Sequence, residues 1–340
     1  MTAVQQKALI PPVKVSGMMH SGWAMQILET ALELDIFSAL ASGGTNDEVA
    51  KKLSLDQRGC LVLLDALVGL DLLEKREGHY KLSETASIYL LPESKLYMGN
   101  YVRCQESIVR AWSSLAKTIK TGKPMMSVNE DKSAEDFFPA LAAAIFPLSY
   151  STAQMVAQEL KAQDFKPGTR ILDVACGSAV WSIPFAQMNK AIKVDGLDFG
   201  RVLDVAKQFT QRYEVATQYN FLEGNWREVK LEDAAYDLIT LGHILHSEGQ
   251  KPSEELLAKC FKALKPGGQV VIAEFMPNED RTAPAFPLMF AVNMFVMTSD
   301  GKVFTGNELK EMLKKAGFKE SRQPELPYWG TESPIMIGIK

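Results

Sequence analysis

The chain has 340 residues, 46% of them hydrophobic and 23% charged, with a formal net charge of −4. That length accommodates two domains with their own cores, and the near-balanced charge excludes a chain-wide affinity for nucleic acid or an anionic membrane. Cys60, Cys104, Cys176 and Cys260 form no CxxC pair and stand apart from histidines at ligand spacing, so they read as reduced, buried thiols and no metal site is expected.

The opening residues lack the roughly 7–15-residue apolar core of a secretory signal. No continuous apolar run reaches the roughly 18 residues of a membrane span, so a cytoplasmic address and no membrane partner are expected. Residues 1–16, with Pro11-Pro12 and no amphipathic period, read as an extended arm. From Met18 to Leu40, Met25, Leu28, Leu32 and Ile36 recur at three and four spacing, widened by Ile27, Ala31 and Leu34, which predicts one packed helix. Thr45 with Glu48 forms a capping box that starts a short helix through Leu53. A third helix runs from about Asp56 to Leu70. Leu72 to Leu82 reads as a hairpin turning at Glu77-Gly78, and three helices plus a hairpin make a winged helix. The third helix carries Asp56, Arg58 and Asp65 without the basic stripe that phosphate contacts require, so no nucleic-acid partner is expected.

Residues 84–165 read as helical, with polar interruptions at Thr121-Gly122-Lys123-Pro124 and at Asn129 to Ser133. Phe137 to Leu160 is apolar enough to bridge into the second domain. From Lys166, short runs at Ile171–Val174, Lys193–Leu197, Asn220–Glu223, Asp237–Leu241 and Gln269–Glu274 alternate with helical stretches, the signature of a doubly wound parallel sheet. The helix from Ser253 to Leu264 stops at Lys265-Pro266-Gly267-Gly268. The expected class is therefore α/β, with divisions at 1–100, 101–165 and 166–340.

Ile171-Leu172-Asp173-Val174-Ala175-Cys176-Gly177-Ser178-Ala179 is a buried strand entering a small-residue turn and then a helix, whose first N–H groups are open to a ligand. Small turns also pack strand against helix with no ligand at all. Lys193 to Asp198 places a carboxylate about 20 residues later, where an acid accepts ribose hydroxyls. Phe221-Leu222-Glu223-Gly224-Asn225-Trp226 brings an amide and an indole to the next strand end, suited to bonding and stacking on adenine. Gly242-His243-Ile244-Leu245-His246-Ser247 then puts two histidines one helical turn apart at the same edge. They are either satisfied structural histidines or parts of a site. A nicotinamide dinucleotide competes for this description, but Gly-x-Gly-x-x-Gly is absent and the motif lies mid-chain.

On these motifs the chain resembles the class I S-adenosylmethionine (SAM)-dependent methyltransferases. Over its whole length it is similar to small-molecule O-methyltransferases with an N-terminal dimerisation domain, the group of hydroxyindole, plant phenolic and bacterial natural-product enzymes. Residues 23–90, with Ile36-Phe37 and Leu82-Ser83-Glu84-Thr85-Ala86, carry the likeness to the dimerisation domain, and residues 170–275 the likeness to the SAM domain. The resemblance implies a Rossmann-like SAM domain, a homodimer, and SAM as cofactor with S-adenosylhomocysteine as product. It implies that Asp173, Ala175, Gly177 and Ala179 hold the methionine part, that Asp198 holds the ribose, that Phe199, Asn225 and Trp226 surround adenine, and that Gly242 borders the cofactor. It further implies that His246 is the general base, a role suited to an imidazole with pKa near 6.5. Departures are Ala175 and Ala179 in place of glycines, each adding a methyl, Asn225 in place of an aspartate, and Ser247 where an aspartate usually follows the base. Glu274 aligns with a family glutamate and is equally readable as a structural acid at a strand end.

The resemblance places a substrate-lining helix over Pro287 to Met297. The expected acceptor lining is His243, Phe146, Tyr150, Met289, Asn293 and Met294, with core packing the plain alternative for the methionines. Met19, His20 and Trp23 are expected to reach the partner's pocket across a dimer. The expected reaction is methyl transfer to a hydroxyl of a small aromatic acceptor. C- or N-methylation on the same scaffold, a SAM-binding enzyme that does not methylate, and a winged-helix regulator with SAM as effector are the alternatives.

Overall fold

In the computed structural model the chain divides into two compact units, Met1–Arg103 and Cys104–Lys340. Residues 12–124, 131–326 and 333–340 are described.

In the first unit, helix α1 (Val13–Glu33) starts directly after Pro12, where a missing N–H costs no helical bond. Residues 13–16 are therefore helical instead of extended, and the rest of the expected arm, residues 1–11, lies outside the described residues. The single helix expected to Leu40 is two, because Asp35 takes left-handed backbone (φ 55°) before α2 (Ile36–Ala39). After β1 (Gly44–Thr45), the capping box on Thr45 and Glu48 starts α3 (Asn46–Leu53). Asp56 caps α4 (Gln57–Gly69) by accepting the Gly59 N–H at 2.7 Å. Strands β2 (Leu73–Arg76) and β3 (His79–Leu82) are joined through Glu77 and Gly78, both at positive φ, as a tight two-residue hairpin demands. The three strands order β1-β3-β2. Asp65 of α4 accepts from Lys75 Nζ at 2.6 Å and from the Tyr80 hydroxyl at 2.7 Å, pinning helix to hairpin above a core of Ile36, Phe37, Leu64 and Leu67. Helix α5 (Glu84–Tyr89) follows, N-capped by Ser83.

Helix α6 (Gly99–Trp112) spans the division. In the second unit α7 (Leu115–Thr121) ends on left-handed Gly122, at the first expected interruption. Of the second, residues 131–133 already belong to α8 (Asp131–Glu159), and residues 129 and 130 lie outside the described set. Among the described residues one stretch, Phe137–Glu159 of α8, is long and apolar enough to cross a membrane, and half of its apolar window is buried. Counting continuous apolar residues overlooked it, because Ser149, Ser151 and Thr152 interrupt the run. It packs on α9 (Ile183–Met188) and α10 (Gly200–Arg212).

The sheet has seven strands ordered β6-β5-β4-β7-β8-β10-β9. Strands β4 (Arg170–Val174), β5 (Lys193–Asp198), β6 (Tyr219–Glu223), β7 (Tyr236–Gly242) and β8 (Leu264–Ala273) run parallel, and β10 (Ile335–Ile339) pairs antiparallel with β8 and with β9 (Glu320–Arg322). The chain moves outward one way from β4 through β5 to β6 and the other way from β7 to β8. The crevice of such a sheet therefore opens at the carboxyl ends of β4 and β7. The remaining helices are α11 (Leu245–Glu248), α12 (Gln250–Ala263), α13 (Ala285–Met297) and α14 (Gly306–Ala316). Two expectations are corrected. The helix α12 ends at Ala263, as expected, but Lys265-Pro266-Gly267-Gly268 is an irregularity inside β8, where two steps on β7 from Tyr236 to Leu238 face five on β8 from Leu264 to Gln269. The two antiparallel strands after α14 were not expected at all.

Candidate active site

The turn after β4 lies at that crevice and is shaped by backbone. Ala175 (φ 51°), Gly177 (φ 57°) and Ala179 (φ 59°) all occupy the left-handed region. Alanine there costs more than the methyl of space anticipated from sequence, since an L-residue pays roughly 1–2 kcal/mol for that conformation. Ala179 is wholly buried, so its surroundings hold it in place. Asp198, ending β5, accepts the Gly177 N–H at 2.9 Å on Oδ2 and the Phe199 N–H at 2.8 Å on Oδ1. Burial pushes its carboxyl up to about 6, opposed by these two N–H groups. Phe199 is the N-cap residue of α10. Small residues on one side and a desolvated acid with unused lone pairs on the other fit a ribose-bearing ligand.

Asp173 corrects its expected place. Its carboxylate is 1% exposed and accepts from Ser182 Oγ at 2.5 Å and Thr240 Oγ1 at 2.7 Å, and the Tyr219 hydroxyl donates to Ser182 at 2.9 Å. Burial raises it to about 7. It braces the turn from within the sheet instead of meeting a methionine directly. Gly242 owes its lack of a side chain to a neighbour as well, because a Cβ there would overlap the indole of Trp181.

Asn225 accepts the Arg227 N–H on its side-chain oxygen at 3.0 Å, while its carbonyl accepts from Glu228 and Val229, so it opens the turn after β6. Trp226 overturns the expectation of an adenine-stacking indole. The ring is buried in the core, its Nε1–H donates to Glu248 at 3.2 Å, and the Arg227 guanidinium covers it at 4.7 Å while pairing with Glu248. Lys259 draws this segment inward by donating to the carbonyls of Trp226 and Val229 at 2.5 Å each.

At the ends of β7 and β8 the material changes to ionisable and aromatic side chains. His246, buried in α11, places Nδ1 2.7 Å from Glu274 Oε2, and Glu274 Oε1 accepts the His246 backbone N–H at 3.2 Å. The two lie 28 residues apart in sequence and meet because β7 and β8 are neighbours. Burial would raise the Glu274 carboxyl, but the His246 imidazole beside it outweighs that and the net shift is downward. An ionised Glu274 can only accept, so Nδ1 is the donor of this pair. Ser247 donates to the Ile244 carbonyl at 2.9 Å.

His243 has φ 60°. Its ring stacks on Phe275 at 4.4 Å, and Nε2 lies 3.2 Å from Ser333 Oγ. Burial drives its pKa down to about 4, so the imidazole is neutral. His243, His246 and Glu274 bring one donor atom each within 4.8 Å of one another. Both Glu274 oxygens are already bonded to His246, which makes the group an acid–imidazole pair with a second imidazole alongside.

The aromatic wall was missed from sequence. Phe290 stands edge-on to His246 at 4.9 Å, with Phe275 4.5 Å from Phe290 and Phe286 5.1 Å from Phe275. The four-residue spacing of Phe286 and Phe290 was the available signal. Of the expected lining residues, His243 belongs to this cluster. Met289 is 56% exposed, Met294 is buried, and Asn293 accepts from Trp112 Nε1 at 2.8 Å, docking α13 onto α6. Phe146 is wholly buried and stacks on Phe209 at 4.5 Å, and Tyr150 donates to Gln187 at 2.8 Å, because that face of α8 packs on α9 and α10.

Two family models match this chain: an O-methyltransferase domain over residues 140–319 and an O-methyltransferase dimerisation domain over residues 17–92. Among curated proteins it is 28% identical to the 3-hydroxy-5-methyl-1-naphthoate 3-O-methyltransferase of Streptomyces sahachiroi, covering 94% of this chain and 92% of that protein. It is 30% identical to acetylserotonin O-methyltransferase of Gallus gallus, covering 87% and 88%. Among solved structures, a candidate O-methyltransferase from Nostoc punctiforme superposes with a TM-score of 0.85 at 26% identity, covering 98% of this chain and 100% of that one. Human N-acetylserotonin methyltransferase in complex with SAM shares the fold, with a TM-score of 0.81 at 23% identity, covering 100% and 99%. The chain therefore belongs to the O-methyltransferase family that carries an N-terminal dimerisation domain, a family whose methyl donor is SAM.

Proposed function

We propose that this protein transfers a methyl group from SAM to a hydroxyl of a small aromatic acceptor, with His246 as general base. The observation that carries the reading is the Nδ1 contact of His246 with buried Glu274 at 2.7 Å, the pairing by which a carboxylate orients an imidazole for proton transfer. Bound SAM supplies a methyl already activated on a sulfonium. The backbone from Ala175 to Ala179 and the Asp198 carboxylate hold the donor. The Phe275, Phe286 and Phe290 rings hold a flat acceptor and exclude water, so that alignment itself lowers the barrier. With SAM bound, His246 Nε2 would take the hydroxyl proton as the oxygen bonds to the methyl carbon and the carbon–sulfur bond breaks to leave S-adenosylhomocysteine, and Glu274 would stabilise the resulting imidazolium.

A homodimer through the first unit belongs to the same proposal. Val13, Val15, Met18, Met19 and Trp23 leave α1 with exposed apolar side chains, and the His20 ring lies tilted against Trp23 at 4.6 Å. A surface of this kind is typical of a docking face.

Incubation with methyl-labelled SAM and a panel of phenols, read by mass spectrometry and NMR, tests the activity. The His246→Ala variant is expected to lose about 10²–10⁴-fold in kcat. Full turnover by that variant on the identified acceptor would remove the base assignment.

A further inference from the structure

We propose that His243 is a second anchor for the acceptor, and that the site therefore selects aromatic rings with an oxygen on the carbon next to the hydroxyl that is methylated, as in vicinal diols and ortho-hydroxycarbonyls. This deepens the methyl-transfer reading and rests on it for the identity of the reacting hydroxyl.

The His243 Nδ1 atom is buried and has no hydrogen-bond partner. A buried polar atom left unsatisfied costs about 1–3 kcal/mol, so native proteins rarely keep one without a use. The ring cannot swing to relieve it. Its other nitrogen is held by Ser333 and its face by Phe275, and its backbone lies in the left-handed region, where strain is retained mostly at functional positions. His243 and His246 share one aromatic floor. The rings lie at 27° and 23° to Phe275, and they are tilted by 45° to each other with centroids 5.9 Å apart.

Two oxygens on adjacent ring carbons lie roughly an O–H···O distance of 2.7 Å apart, so such a ring offers one hydrogen-bonding group of about 2.9 Å reach to each imidazole. The Ser333 hydroxyl can rotate to donate to Nε2 or accept from it. In the first case Nδ1 donates to a neighbouring carbonyl or alkoxide, and in the second it accepts from a neighbouring hydroxyl. Because burial lowers the His243 pKa to about 4, its imidazole is too weak a base to keep the reacting proton.

Isothermal titration of 2,3-, 2,6- and 2,7-dihydroxynaphthalene into the full-length protein, with and without S-adenosylhomocysteine, separates adjacency from size and hydrophobicity. The 2,3-isomer is expected to bind about tenfold more tightly than the other two. In His243→Phe, which keeps the ring on Phe275, the gap closes, and in Ser333→Ala it narrows. Equal affinity of the native protein for all three isomers overturns the proposal without needing any variant, and so does a gap that persists in a folded His243→Phe. Labelled methyl transfer without isomer selectivity removes this inference alone. Selective binding of the 2,3-isomer with no methyl transfer to it removes the methyl-transfer reading and leaves the anchor standing.

Discussion

Around Gly177 the chain builds its site from backbone and small residues held in left-handed conformations by one carboxylate, while around His246 it builds from large buried side chains on three separate elements. The first region depends on space and on main-chain N–H groups, and its parts lie within about a strand–turn–strand of one another. The second depends on charge and ring packing between residues far apart in sequence. Damage to the first should therefore appear as weaker donor binding or lower stability, and damage to the second as lost turnover.

The sharpest test of that contrast is Glu274→Gln. The amide keeps the shape but lacks the negative charge that fixes the His246 tautomer, so kcat should fall about 100-fold with donor affinity measured by calorimetry unchanged. An equal fall in donor affinity would merge the two regions into one. Next, Gly242→Ala forces a methyl into the Trp181 ring, and overpacking of this kind costs about 1–3 kcal/mol. A urea melt should show the loss, and a Trp181→Leu change in the same chain should restore most of it.

A smaller effect concerns pH. With the Asp198 carboxyl pushed up to about 6, a ligand that donates to its ionised form must compete with a proton below that value. Affinity for S-adenosylhomocysteine should weaken toward tenfold per pH unit below about 6 and level off above it, and a flat profile from pH 5 to 7 would show that the acid does not meet the ligand. Smallest is the contribution of Asp173. Its carboxyl titrates near 7 when folded and near 3.8 when exposed, so the folded form holds a proton that the unfolded form has released. Its contribution is greatest below about pH 4 and is lost as pH rises through about 7. His243, lowered to about 4, acts in the opposite sense across much of that window, so the comparison must be between native protein and Asp173→Asn, whose difference in urea midpoint should change steadily from pH 4 to 7.

What could be read from the sequence follows the same division. The capping box on Thr45, the Glu77-Gly78 hairpin and the strand entering the Gly177 turn are local signals, and each lies where spacing placed it. The errors come from features that spacing cannot carry. Trp226 is an aromatic residue at the right strand end and Phe146 an aromatic residue on α8, but Lys259 and α10 turn them into the core. Asn293 looked like a lone polar group in an apolar helix and is spent on Trp112, 181 residues away in sequence. Glu274 was visible as a strand-end acid, yet only the adjacency of β7 and β8 brings it to His246. Ser333 and the strand after it left no signal strong enough to assign.

That last strand lies inside the sheet, between β8 and β9, and Ser333 at its entrance reaches His243. A chain truncated before Ile335 would lack a middle ribbon of the sheet and leave both its neighbours with bare edges. Such a product should be insoluble although residues 175–179 and Asp198 are all present.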